Sequence, residues 1–320
     1  MEDPPALKEV QRLMWKKNPA ASIDEIKAAI DAVPPGTDMN QELIRALARK
    51  KYEIARYLVE KRRANAYEDD VEVFMEDGMP FEGLKIAIDA LPANANLNVI
   101  LYHAIVGGFL DTVKYLVDDK GADPNGHDAY TYHIECAIEY YKNLKGIDIL
   151  KYMIEKVSPA SLARLSMDDP KSTPLHFVAG IPDIPVAIAT TMLDRNPGMI
   201  NNVLPPPSPG RDGGFTALHI AALRNNVDVV RLLKDRGANT QLKTTNGKTA
   251  YIFATDATIK RILYVGPDPG SPPRQPPPPP GSNPGSPSPP APPPPASGGR
   301  RRTRSKSRHT RRRTRRRNRI

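Results

Sequence analysis

Two histidines in this chain have a spacing that could support chemistry. His176 and His219 each lie three residues after a threonine, in the segments 173–176 and 216–219. A histidine beside a hydroxyl group could act as a general base, and histidine is also a common zinc ligand. The two pairs therefore raise the question of a catalytic site or a metal site.

The other residues with suitable chemistry do not complete such a site. Zinc sites use paired ligands at short spacing, and that spacing is missing from the remaining candidates, Cys136, His103, His127 and His133. No serine or cysteine has a base and an oxyanion partner at a recognised spacing, and no glycine loop for nucleotide phosphates is present. We predict that the chain is not an enzyme and that it has no cofactor site and no metal site.

The segment 215–238 around His219 explains the histidines differently. Thr249, which lies 33 residues after Thr216, begins a second and more divergent copy of the signature. A Thr-Pro-Leu-His-x-Ala signature with this period is typical of ankyrin repeats, in which each unit is a turn plus two helices. The segment resembles one whole ankyrin repeat. The signature residues are Thr173, Pro174, Leu175, His176, Thr216, Leu218, His219, Ala221 and Gly237.

Weaker repeats extend this pattern toward the N-terminus. Residues 26–34 recur at 84–92, and residues 56–60 recur at 114–118, both with an offset of 58. Apolar residues at helical spacing mark the second helix of a unit. A small residue marks the first helix at Ala46, Ala104, Ala137 and Ala221. The sequence predicts an all-α solenoid of about eight helix-pair units over residues 5–265, with the first and last units as caps.

The resemblance to ankyrin repeats also implies roles for particular residues. The signature histidine would brace the loop between neighbouring units through hydrogen bonds, and the preceding threonine would cap the first helix. Ankyrin units bind proteins with their loop tips and the exposed edge of their first helices. The loop tips expected here include Tyr67, Glu68, Pro124, His127, Asp128, Gln241, Lys243 and Asn246.

A proline-rich segment follows the repeats at residues 266–299. Of the 35 prolines in the chain, 17 lie between Pro267 and Pro295. Such a run favours polyproline II structure and acts as a semi-rigid spacer, so we predict a disordered linker. Arg274–Pro280 also has the basic-x-x-Pro-x-x-Pro arrangement that an SH3 domain could bind. In so proline-rich a run the same arrangement arises by chance, which leaves the spacer as the alternative.

The last segment, residues 300–320, is strongly basic. It holds 13 of the 46 Lys and Arg residues and no Asp or Glu. Self-repulsion predicts disorder. The segment could bind nucleic acid without sequence preference or serve as a nuclear localisation signal. In composition it is similar to C-termini of some proteins of large DNA viruses. Its basic residues are Arg300, Arg301, Arg302, Arg304, Lys306, Arg308, Arg311, Arg312, Arg313, Arg315, Arg316, Arg317 and Arg319.

The rest of the chain is slightly acidic, with 33 basic and 36 acidic residues at positions 1–299. Cys136 is the only cysteine, which excludes an intramolecular disulfide and suits a reducing compartment. The N-terminus lacks the apolar core of a signal peptide, and the longest apolar run, residues 99–110, is too short to span a bilayer. We therefore expect no membrane partner and an intracellular protein, nuclear or cytoplasmic.

These observations together predict a function in binding. The repeats indicate a protein–protein interaction scaffold or adaptor, and the basic tail would anchor it to nucleic acid or direct it to the nucleus. The alternative is a nucleic-acid-associated protein, such as a viral packaging protein, in which the tail is the main binding element.

Overall fold

The computed structural model describes residues 4–15, 20–127, 132–142, 146–164, 172–206 and 211–264. Within these ranges the secondary structure consists of helices, and an isolated bridge between His127 and Tyr132 is the one β-type pairing. The predicted all-α class is confirmed. The predicted linker at 266–299 and tail at 300–320 lie outside the described residues, so the division of the chain into three segments stays a prediction.

The described helices form eight pairs, as the sequence predicted. The first four pairs are α1 (Pro5–Trp15) with α2 (Ile23–Asp31), α3 (Asn40–Ala48) with α4 (Tyr52–Arg62), α5 (Glu68–Glu76) with α6 (Phe81–Asp89), and α7 (Leu97–Val106) with α8 (Leu110–Lys114). A π-helical turn, Tyr115–Asp119, continues α8.

The other four pairs include two additional short helical segments. The pairs are α9 (His133–Glu139) with α10 (Gly146–Lys156), α12 (Pro174–Ala179) with α13 (Val186–Arg195), α14 (Ala217–Leu223) with α15 (Val227–Asp235), and α16 (Ala250–Phe253) with α17 (Ala257–Leu263). The one-turn helix α11 (Pro159–Leu162) follows α10. A 3₁₀ turn, Pro197–Asn201, follows α13.

The core lies between the helices of adjacent pairs. Ala46, Ala104, Ala137 and Ala221 are all buried, which agrees with the predicted need for small residues where first helices approach one another. Large apolar residues of the second helices fill the remaining space, including Leu58, Leu116, Met153 and Leu233, each fully buried. Thin units of this kind are stabilised mainly through their neighbours.

Polar contacts between successive second helices add a second layer of interactions. The hydroxyl of Tyr57 on α4 donates to Asp31 of α2 at 2.6 Å. The equivalent pair 58 residues later is Tyr115 in the π-helical turn and Asp89 at the end of α6. We call these two pairs the tyrosine–aspartate contacts. Their spacing equals the offset of the sequence duplication, so the duplicated segments also share their inter-unit contacts.

Glycines end two of the second helices in the left-handed conformation. Gly121 follows the π-helical turn with φ +77°, and Gly237 follows α15 with φ +85°. A side chain at such a φ is strained, so glycine is favoured where the chain leaves the helix.

The last described pair differs at one position from the two units that carry the signature histidine. Ile252 lies three residues after Thr249, where the earlier units have His176 and His219, and it is 60% exposed. In those units the histidine faces the loop of the following unit, and the described residues contain no unit after α17.

Candidate functional site

The two signature histidines lie between units, where they join the start of a first helix to the following loop. Nδ1 of His219 is 2.8 Å from Oγ1 of Thr216, and Nε2 is 3.2 Å from the carbonyl oxygen of Lys248. His176 repeats the arrangement, with Nδ1 2.6 Å from Oγ1 of Thr173 and Nε2 3.2 Å from the carbonyl oxygen of Phe215. We call this arrangement the histidine brace.

Burial makes both histidines poor acids and bases near neutral pH. Removal from water lowers the pKa of His176 to about 4, against a smaller opposing effect of the carbonyl acceptors. Burial also lowers the pKa of His219. Both rings are therefore neutral at pH 7. The geometry agrees with the bracing role that the resemblance implied.

The remaining signature residues occupy helix ends and the core. Pro174 begins α12, and Leu175, Leu218 and Ala221 are buried. The two threonines behave differently. The Thr216 side chain accepts from the backbone N–H of His219, as a capping residue does, whereas Thr173 makes no capping bond and its hydroxyl contacts only the His176 ring.

A third histidine also joins neighbouring segments, and the sequence analysis missed it. His133 lies at the start of α9. Its Nδ1 is 3.2 Å from the carbonyl oxygen of Asp123, and its Nε2 is 3.1 Å from the carbonyl oxygen of Asn98. This unit lacks the Thr-Pro-Leu-His signature, so no motif marks the residue. Its register gives no signal either, since His133 lies four residues before the small residue Ala137 whereas His219 lies two residues before Ala221.

The other candidate ligands do not gather into a metal site. Within the described parts of the chain, no three residues of the types His, Cys, Asp and Glu lie close enough together to hold a metal ion. Cys136 is buried in α9. Nε2 of His103 lies 3.1 Å from Oε1 of Glu72, which places it in a contact between α7 and α5.

The predicted loop tips near α5 combine exposure with structural contacts. Tyr67 is 53% exposed, and its hydroxyl accepts a bond from Asn40 at 3.4 Å. Oε1 of Glu68 accepts from the backbone N–H of Asn96 at 2.8 Å, which ties α5 to the loop before α7. Tyr67 is therefore the better candidate for contact with a partner.

The second predicted group of tips is only partly described. Pro124 is half-buried and His127 is exposed beside Tyr132, at a ring-centroid distance of 5.7 Å. Asp128 lies outside the described residues.

The third group of tips, Gln241, Lys243 and Asn246, is exposed and is held by the inserted loop before α14. The carboxylate of Asp212 accepts from the hydroxyls of Thr244 at 3.2 Å and Thr245 at 3.0 Å, and from the backbone N–H of Asn246 at 3.0 Å. These hydrogen bonds lower the pKa of Asp212. The loop before α14, through Asp212, thus fixes the next loop tip.

The first helices of the last three units expose apolar side chains. Phe177 on α12 is 36% exposed and Leu223 on α14 is 47% exposed. Ile220 and Phe253 are half-buried at the equivalent edge of α14 and α16. We call Phe177, Ile220, Leu223 and Phe253 the apolar row. Sequence reasoning had placed part of the binding surface on first helices but had not named these residues.

Comparison with known families agrees with this geometry. The family model described as "Ankyrin repeats (many copies)" matches residues 206–254. Residues 206–254 are similar to ankyrin repeats, and this match supports an ankyrin repeat protein. Ankyrin repeats bind proteins, so this one has a role in protein–protein interaction. The matched segment contains the His219 brace and the third group of loop tips. A search of the curated proteins finds no match.

Several predicted sites lie beyond the described residues. They are the SH3-type segment Arg274–Pro280 and the 13 basic residues of the tail, and both stay predictions. No helix among the described residues is long and apolar enough to cross a membrane.

Proposed function

We propose that this ankyrin repeat protein is a non-catalytic scaffold or adaptor that recruits protein partners through its loop tips and first helices. The observation that carries the proposal is the combination of a braced repeat stack with exposed apolar residues on consecutive first helices. Exposed apolar residues that cluster on a surface mark interaction sites, whereas apolar residues exposed singly are common on any protein. Neutral, buried histidines that hold loops in place also leave little for catalysis to use.

We further propose that the basic tail is the second binding element of the adaptor, beside the repeats that bind proteins. Thirteen cations without a single carboxylate over residues 300–320 would bind phosphates through release of counterions. The segment would then anchor the protein to RNA or DNA, or direct it to the nucleus.

A deletion of residues 300–320 tests the two halves separately. We expect the shortened protein to retain its protein partners from a nuclease-treated cell extract, while binding to nucleic acid is lost. Loss of every partner on deletion would favour the alternative, in which the tail is the main binding element.

The tail itself is tested by salt titration and by microscopy. A synthetic peptide of residues 300–320 should bind RNA and DNA with an affinity that falls steeply with salt concentration. A fluorescent protein fused to the same segment should accumulate in the nucleus if the segment is a localisation signal. A variant with glutamine at the 13 basic positions is the matched control.

A further inference from the structure

The apolar row lies on the first helices of three consecutive units. α12 contacts α14, and α14 contacts α16. A Cβ atom placed on Gly180 at the end of α12 would lie 3.5 Å from Cγ2 of Ile220. On the other side, the ring of Phe253 lies 5.2 Å from that of Phe215 and 5.9 Å from that of His219, centroid to centroid. The row therefore lies on three first helices that pack side by side in sequence.

The equivalent edge in the N-terminal half of the molecule has different chemistry. Ile220 directly precedes the small residue of its unit, and the residues in the same place in two earlier units are Arg45 and His103. Arg45 pairs with Glu42 at 2.7 Å, and His103 contacts Glu72 at 3.1 Å. These two earlier units thus use this place for polar contacts within the protein, whereas the last three units leave apolar side chains exposed there or partly exposed.

Two lysines border the apolar row. Nζ of Lys248 lies 5.7 Å from the centroid of the Phe253 ring. Lys243 directly precedes a tight turn, residues 244–248. The turn is closed by a hydrogen bond of 2.9 Å from the N–H of Thr244 to the carbonyl oxygen of Lys248. Neither lysine forms an ion pair with any carboxylate in the described part of the chain. The nearby Asp212 is occupied by the three donors that hold this turn.

The geometry points to an acidic, apolar peptide segment of a partner protein as the occupant of this surface. Its apolar side chains would cover Phe177, Ile220, Leu223 and Phe253, and its carboxylates would pair with Lys243 and Lys248. Neighbouring helices lie about 8–10 Å apart, and a polyproline II peptide presents the same face every three residues, or about 9 Å. A peptide in that conformation would place an apolar residue at every third position. This inference rests on the proposed scaffold function and specifies the chemistry of the partner.

A selection from a random peptide library tests the inference on the full chain. Displayed 16-residue peptides are first passed over the immobilised tail peptide, residues 300–320, which removes acidic sequences that bind the tail. We expect the peptides then enriched on the full chain to carry more Asp and Glu than Lys and Arg, together with apolar residues. Enrichment of basic peptides, or of none, would overturn the inference.

Substitutions then locate the binding of the most enriched peptide. Its fluorescein-labelled form is titrated with full-length variants, so that the tail contributes equally to each. Leu223→Asp should raise the dissociation constant at least tenfold, and so should Lys243→Glu combined with Lys248→Glu, since each change opposes one part of the proposed contact. The matched control is Val73→Asp, which alters a residue on α5 that is also 50% exposed. The control should change the constant less than twofold.

The outcomes separate this inference from the proposed function. Circular dichroism first confirms that each variant is folded, which is expected because the altered side chains are exposed. If Val73→Asp weakens the peptide as much as Leu223→Asp does, the assignment to the C-terminal units is wrong. If Leu223→Asp leaves protein partners from an extract bound, the scaffold function stands and the acidic-peptide surface is wrong.

Discussion

The N-terminal and C-terminal halves of this molecule join their units by different means. The C-terminal units use the histidine brace, in which a buried ring links a threonine to the carbonyl of the next loop. The N-terminal units lack the signature and use polar contacts between second helices, such as Tyr57 with Asp31 and Tyr115 with Asp89. Contacts between second helices also occur in the C-terminal half, as between Arg236 and Asp194. The buried brace is therefore what distinguishes the C-terminal half.

The difference shows why the N-terminal repeats are hard to recognise. A buried brace needs one residue type at one position, so it leaves a motif in the sequence. Half-exposed contacts between second helices tolerate many pairings, because water can replace a lost partner. What both halves must keep is the pattern of buried apolar and small residues.

The largest predicted effect tests what the halves share. Leu101 and Leu218 lie three residues before the small residue of their units, and both are buried. Leu101→Ala and Leu218→Ala should each lower the free energy of unfolding by about 3 kcal/mol, because each leaves a cavity in the stack. Urea denaturation measures both. A cost for Leu101→Ala below half that of Leu218→Ala would show that the N-terminal units are more loosely packed.

The next effect tests the brace directly. His219→Ala removes the ring contacts with the Thr216 hydroxyl and with the carbonyl of Lys248, and it leaves that buried carbonyl without the ring, so we expect a loss of about 2 kcal/mol. His133→Ala should cost a similar amount if the missed histidine is an equivalent contact. His103→Ala is the control, since its contact with Glu72 is partly exposed and should contribute below about 1 kcal/mol. Equal losses for all three would contradict the distinction.

The brace should also make stability depend on pH. The folded protein holds His176 at a pKa of about 4 and lowers that of His219, whereas an unfolded histidine titrates near pH 6.5. Between about pH 6.5 and 4 the unfolded state therefore binds more protons, and stability falls as the pH decreases through this range. Thermal unfolding of the wild type and of a His176→Gln, His219→Gln double variant measures it. The double variant should show a smaller decrease; equal slopes would contradict the role of these two rings.

The smallest effect concerns the tyrosine–aspartate contacts. Tyr57→Phe and Tyr115→Phe keep the ring and remove the hydroxyl, so each should lower the free energy of unfolding by about 0.5–1 kcal/mol. Amide hydrogen exchange should show faster opening only in the units adjoining the altered residue. A loss as large as that of His219→Ala would mean that the two halves depend equally on their polar contacts.

The sequence predicted the repeat architecture well because the architecture depends on local patterns. Buried alanines and the threonine–histidine pairs recur at intervals that can be read directly, and Gly121 and Gly237 mark helix ends by their backbone requirement. The helix count also followed from these signals.

Features that depend on contacts between distant segments could not be predicted in the same way. His133 braces two carbonyls without a motif, since its partners, Asn98 and Asp123, contribute only backbone atoms. The role of Asp212 could be found only once it was known that its carboxylate reaches Thr244, Thr245 and Asn246. The apolar row was missed for a related reason. A single exposed residue such as Leu223 is ordinary. It gains meaning only when the stack shows that the neighbouring first helices also expose apolar side chains.

The exposed Ile252 has a consequence for protein engineering. Because this residue occupies the position of a brace histidine, replacing it with histidine and grafting a further ankyrin unit after α17 would recreate the joint seen at His219. The grafted loop would supply the carbonyl acceptor, and the newly covered apolar surface would add to stability. The molecule could in this way be lengthened unit by unit, with new recognition loops added beside the existing ones.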